Sequence, residues 1–99
     1  MATVRNDVSL GRQALRRSVN ERTRNVIDGS APGTIEVFCE CGRVRCASRV
    51  QIAIDAYDDV LERQRQYVVL AGHEDDRAEV LVARQNGYLV VERAPHNAA

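Results

Sequence analysis

The 99-residue chain contains no lysine and no tryptophan, a single phenylalanine, three tyrosines and two prolines. So few rings leave bases little to stack on, which argues against a nucleic-acid platform of interleaved aromatics and cations. The same scarcity predicts an aliphatic core with Phe38, Tyr57, Tyr67 and Tyr88 as its large pieces. No apolar run reaches the length of a bilayer span, and the opening "MATVRNDVSLGRQ" lacks the apolar segment of a secretory signal. The expected location is the cytoplasm, with no membrane partner. Phosphate loops, nucleophile elbows and cofactor fingerprints are missing, and "HEDDR" lacks the second histidine of a metalloprotease helix, so no enzymatic activity is expected.

What the chain does have is a cluster. All three cysteines fall within "FCECGRVRC", as Cys39, Cys41 and Cys46. In a reducing compartment an odd, crowded set is a poor disulfide framework, and a Cys-x-Cys bridge is strained, which leaves a metal site or reactive thiols. Three thiolates leave a tetrahedral zinc one ligand short, and His73 in "AGHEDD" sits at the junction after an apolar strand, a loop position from which its imidazole can complete a Cys₃His set. His96, Glu40 and Glu74 are the weaker fourth ligands. Gly42 is expected to take a positive φ that folds backbone N–H groups toward a sulfur. Were His73 not to reach, a water on the open fourth position beside Glu74 would resemble a catalytic zinc.

Hydrophobic periodicity supplies the scaffold. Leu15, Val19, Val26 and Ile27 recur at helical spacing, predicting a first helix from about Gly11 to Asp28 with this apolar side inward. "TIEVFCE" and "RVQIAID" alternate as two strands joined across the cysteine turn, with Glu36 and Glu40 on the face opposite the core. Asp55 is placed to cap a second helix ending near Gln64. "YVVLAG" and "GYLVVER" look like interior strands, and "EDDRAEVLVARQNG" between them is expected to form a third helix closed by Gly87. The predicted class is α+β, with α/β as the neighbouring possibility. An N-terminal helix is followed by β-β-α-β-α-β, about four strands with helices on the sheet, in one domain over 1–99. Its ordered core is placed at about 11–93, with 94–99 as a disordered tail. If the first and third strands are adjacent and parallel, Cys39 and His73 emerge at the same edge.

Charge is balanced, fourteen arginines against fourteen acids, yet the N-terminal third is basic. Arg12, Arg16, Arg17 and Arg24 on the first helix, with Arg43 and Arg45 in the cysteine turn, are the candidate contacts to an acidic partner; a protein is favoured over nucleic acid. Arg43, Arg45 and Arg49 would also offset the negative charge of a three-thiolate centre.

The combination "VNER", "FCECG" with a third Cys soon after, "IAIDAYDDV", "VVLAGHE" and "GYLVVER" is similar to a widespread family of small uncharacterised actinobacterial proteins. The match covers about residues 18–93, and Cys-Glu-Cys-Gly and Gly-His-Glu are its most specific elements. The resemblance implies that Cys39, Cys41, Cys46 and His73 belong together; it brings no activity with it. The expected function is a small zinc-binding regulatory or macromolecule-interaction module with a structural Cys₃His site. The alternatives are a thiol-based redox or zinc sensor and a nucleic-acid-binding protein that uses the arginine-rich helix.

Overall fold

The computed structural model describes residues 2–27 and 33–93, with side chains from residue 10 onward. The C-terminal residues 94–99, read as a tail, and Asp28, expected to end the first helix, lie outside the described residues. In chain order the elements are α1 (Ala2–Asn25), β1 (Thr34–Phe38), β2 (Arg49–Ala53), α2 (Ile54–Leu61), β3 (Gln66–Val69), β4 (Glu79–Gln85) and β5 (Tyr88–Arg93). The fold is α+β.

The alternation in "TIEVF" and "RVQIA" becomes an antiparallel hairpin in which Ile35 faces Ile52 and Val37 faces Val50, both pairs buried. Cys39 extends the ladder by donating its N–H to Ser48 O at 2.8 Å, so the cysteine turn opens from a closed hairpin. A second sheet has the order β3-β5-β4, all antiparallel. The two sheets meet where Glu40 N–H donates to Val68 O at 2.7 Å. The first and third strands are therefore not a parallel pair within one sheet; they touch at the end of β1, and that contact brings Cys39 toward the chain leading to His73.

Residues 79–85, expected as a helix, form the edge strand β4. Gln85 pairs directly with Tyr88, so Asn86 and Gly87 make a two-residue turn, and Gly87 has φ 92°. Asn-Gly between apolar runs favours a hairpin whose twist matches that of the strands, and β-branched Val80 and Val82 suit a pleated surface. Gly87 thus closes a hairpin, where a helix cap was expected. The ladder shifts register between Leu81 and Ala83, a bulge at Val82.

The aliphatic core joins Ile35, Val37, Val50, Ile52 and Ile54 to Val60, Val68, Val69, Leu89 and Val91, with Tyr57 and Tyr67 as its large rings. Phe38 and Tyr88 are only half-buried, and the Arg49 guanidinium lies 5.2 Å over the Phe38 ring. Helix α2 buries Ile54, Tyr57 and Val60; its N-cap is Ala53 with no side-chain cap bond, and Asp55 falls in the first turn.

Helix α1 reverses the expected orientation. On the helix Leu15 is 65 % and Val19 39 % exposed, and just beyond its end Val26 is 81 % exposed while Ile27 is half-buried against the core; the side chains the helix itself buries are Gln13, Arg17 and Asn20. Spaced i, i+4, i+7, those three share one helix face. What lies opposite them is a run of main-chain polar groups and the carboxylate of Glu40, which only donors can satisfy.

Candidate metal centre

Cys39, Cys41, Cys46 and His73 converge. One donor atom from each lies within 4.8 Å of all the others. Cys39 and Cys41 project from the extended end of β1 and are buried; Cys46 returns on the far side of the turn, where its N–H points to Arg43 O at 3.4 Å. His73 arrives from β3 through a tight bend: its N–H donates to Leu70 O at 2.9 Å, and Gly72 takes φ 93°, a left-handed conformation glycine adopts without strain. Gly42 has no positive φ; the left-handed glycine of this site is Gly72, on the histidine side.

The imidazole nitrogen is nearly equidistant from the three sulfurs. His73 Nδ1 lies 3.6 Å from Cys39 Sγ, 3.6 Å from Cys41 Sγ and 3.5 Å from Cys46 Sγ. Metal–sulfur and metal–nitrogen bonds of zinc length, set at the tetrahedral angle, place nitrogen about 3.6 Å from each sulfur. One imidazole N–H can serve only one sulfur well, so hydrogen bonding alone does not account for three equal approaches.

The surroundings suit thiolates. Leu70 N–H donates to Cys39 Sγ at 3.2 Å, and Arg16 Nη1 lies 3.6 Å from Cys41 Sγ. Cys41 is pulled down to about 4, chiefly by its hydrogen bond with Cys39 and further by the Arg43 backbone N–H, His73 and Cys46. Cys39 is pushed up, first by that same bond and then by burial.

The fallback ligands have other work. Glu40, expected on the outer face, is fully buried behind the centre. Its carboxylate accepts from Tyr57 OH at 2.5 Å, Asn20 Nδ2 at 2.9 Å, Val68 N–H at 3.0 Å and Arg17 Nε at 3.3 Å. Burial beside that carboxylate pushes the Tyr57 hydroxyl up, so it stays a donor. Glu74 accepts the Gly72 N–H at 2.7 Å, and His96 lies outside the described residues. Because His73 reaches the sulfurs, the open position of a catalytic zinc is not left vacant among the protein donors.

The arginines proposed as a contact surface are mostly engaged within the molecule. Arg12 donates to Gly42 O at 3.2 Å; Arg16 donates to Cys41 O at 2.5 Å and Arg43 O at 2.6 Å. Arg17 is buried between Glu40, Gln66 O and the face of Tyr67, its guanidinium 4.9 Å from the ring centre. Arg24 makes a two-pronged pair with Asp58 at 2.7 and 3.0 Å. Arg43 bonds Gly72 O at 2.7 Å and ties the cysteine turn to the histidine bend; Arg49 pairs with Glu36 at 3.2 Å. Arg45 is exposed on the turn. The cation seen beside a sulfur is Arg16, which the helix supplies. No protein-family model, curated protein or solved structure matches the chain.

Gln13, Asn20 and Glu40 are the site residues that periodicity misses. Gln13 donates to Glu40 O at 3.0 Å and to Glu79 at 2.6 Å, and accepts from Arg93 at 2.6 Å. Burial raises the Glu79 carboxyl above the usual range. The available signal was the i, i+4, i+7 spacing of three polar residues capable of donating hydrogen bonds, on the side of the helix away from Leu15 and Val19.

Proposed function

We propose that the chain is a small cytoplasmic zinc-binding module with a structural Cys₃His centre, acting as a regulatory or macromolecule-interaction protein. The observation that carries the metal is the near-equal spacing of His73 Nδ1 from three sulfurs, 3.5 to 3.6 Å. Zinc is favoured by the donor set: three thiolates and one imidazole are a common structural combination, and harder cations prefer oxygen. A structural role is supported by four protein donors, which leave no position for substrate. Three free cysteines held together fit a reducing compartment, and no described helix is long and apolar enough to cross a membrane.

A protein partner is favoured over nucleic acid because Arg12, Arg16, Arg17 and Arg24 direct their guanidinium groups inward, while Leu15 and Val19 are exposed on the same helix and Val26 just beyond it. The sensor alternative draws on Cys46 and His73, which are only half-buried and so open to oxidants and chelators. The proposed relation to the small actinobacterial proteins is supported only by the motifs above and by a basic set of fourteen arginines and no lysine, as codon bias in a GC-rich genome would give.

Metal analysis of the purified protein tests the centre. One zinc per chain is expected, with Cys41→Ser and His73→Ala lowering both occupancy and melting temperature. Full occupancy in His73→Ala, or a metal-free protein of unchanged stability, would overturn the assignment.

A further inference from the structure

Helix α1 grips the metal turn by hydrogen bonds. Arg12 holds Gly42 O, Gln13 holds Glu40 O, and Arg16 holds Cys41 O and Arg43 O. Asn20 clasps Phe38 on both sides, donating to its O and accepting from its N–H, each at 2.9 Å. These acceptors belong to 38–43, the segment that presents Cys39 and Cys41. Among the described side chains of α1 none joins the aliphatic core and every one it buries is polar; the apolar contact at this end is Ile27, two residues past the helix, half-buried against the core. The remaining attachments are polar as well: Arg17 to Gln66 O, Gln13 to Glu79 and Arg93, and Arg24 to Asp58.

Attachment of this kind depends on direction. Apolar packing tolerates small rotations, whereas a carbonyl that swings away from its donor loses the bond. The carbonyls of Glu40, Cys41, Gly42 and Arg43 point at α1 while the sulfurs of Cys39 and Cys41 point at His73, so whatever fixes the sulfurs also fixes the carbonyls. Resting on the metal assignment above, we propose that the centre is a latch for α1. An occupied site orients the turn and holds the helix; loss of the metal lets the turn relax and releases α1 as a unit while the sheets and α2 stay folded. Release would uncover the polar face of Gln13, Arg17 and Asn20 and leave Leu15 and Val19 on a helix free on all sides. Metal availability would then govern whether the polar face of this helix is covered or exposed.

Hydrogen exchange on the full chain, zinc-loaded and after chelation, with metal content measured in parallel, reads this directly. Amides of 10–25 are expected to lose at least about tenfold in protection on chelation while those of β3 and β5 keep theirs. His73→Ala, which removes a ligand without touching any atom α1 grips, is expected to give the same pattern. Asn20→Ala in zinc-loaded protein is expected to loosen α1 with the metal retained. Undisturbed α1 protection after zinc has demonstrably left, or in Asn20→Ala, overturns the latch alone. Helix and sheets losing protection together also overturns it, making the metal a staple for the whole fold. Purified protein that binds no metal removes the zinc assignment and the latch with it.

Discussion

The two helices are attached to the same body by opposite means. Helix α2 buries Ile54, Tyr57 and Val60 and is held by area removed from water. Helix α1 buries Gln13, Arg17 and Asn20, leaves its own apolar side chains exposed, and is held by donors aimed at a turn. The difference teaches that amphipathicity reports which face of a helix is apolar; the surface opposite decides which face goes in. Opposite α2 is an aliphatic sheet. Opposite α1 are Glu40 and a row of carbonyls, and an apolar helix face there would leave buried acceptors unpaired.

The largest effect should come from the α2 side. Tyr57→Ala removes a fully buried ring and a donor to Glu40, and is expected to cost about 4 kcal/mol in denaturant unfolding. A loss within the range of surface substitutions would mean that α2 is not held by packing. Next comes the buried ion pair under α1. Arg17→Met keeps much of the volume but leaves the Glu40 carboxylate without its cation, at an expected cost of about 3 kcal/mol, because one buried partner is stripped from the other. If Arg17→Met equals or exceeds wild-type stability, the polar docking of α1 is dispensable.

A smaller effect belongs to the pair that joins the helices. Arg24 holds the Asp58 carboxyl below the usual carboxylate range, first through their hydrogen bond. A pKa lower in the folded than in the unfolded chain adds stability above the unfolded value, and that stability is lost as pH falls through the folded one. Acid titration of stability should therefore be shallower in Asp58→Asn below the ordinary carboxylate range, and identical curves would show the pair to be idle. The smallest effect is the most pointed. Leu15→Ala should change stability by less than about 0.5 kcal/mol, since Leu15 is 65 % exposed; a cost typical of core leucines would return the apolar face of α1 to the interior.

Much of the centre was legible because its signals are chemical or local. Three cysteines in eight positions and one histidine after an apolar run name a ligand set before any fold is known, and the converging donors agree with it. The β1–β2 hairpin was legible because period-two alternation requires one face to be buried, and α2 because Tyr57 and Val60 fall one turn apart. Val80, Leu81 and Val82 were misread as helix because the run suits either period; the Asn86-Gly87 turn, which arbitrates, was taken for a helix end.

Residue chemistry and short-range pattern thus determined by themselves the Cys₃His donor set, the hairpin, α2 and the α+β class. Only the tertiary structure decided that Glu40 lies inside among Arg17, Asn20, Tyr57 and Val68, and that α1 turns its polar face inward. It also brought His73 to the cysteines by a contact between two sheets, Glu40 against Val68, where parallel strand pairing was expected. The reason is physical. A buried polar group is tolerated only where partners from distant segments meet it, and no stretch of sequence carries in its own periodicity the position of a donor seventeen or more residues away.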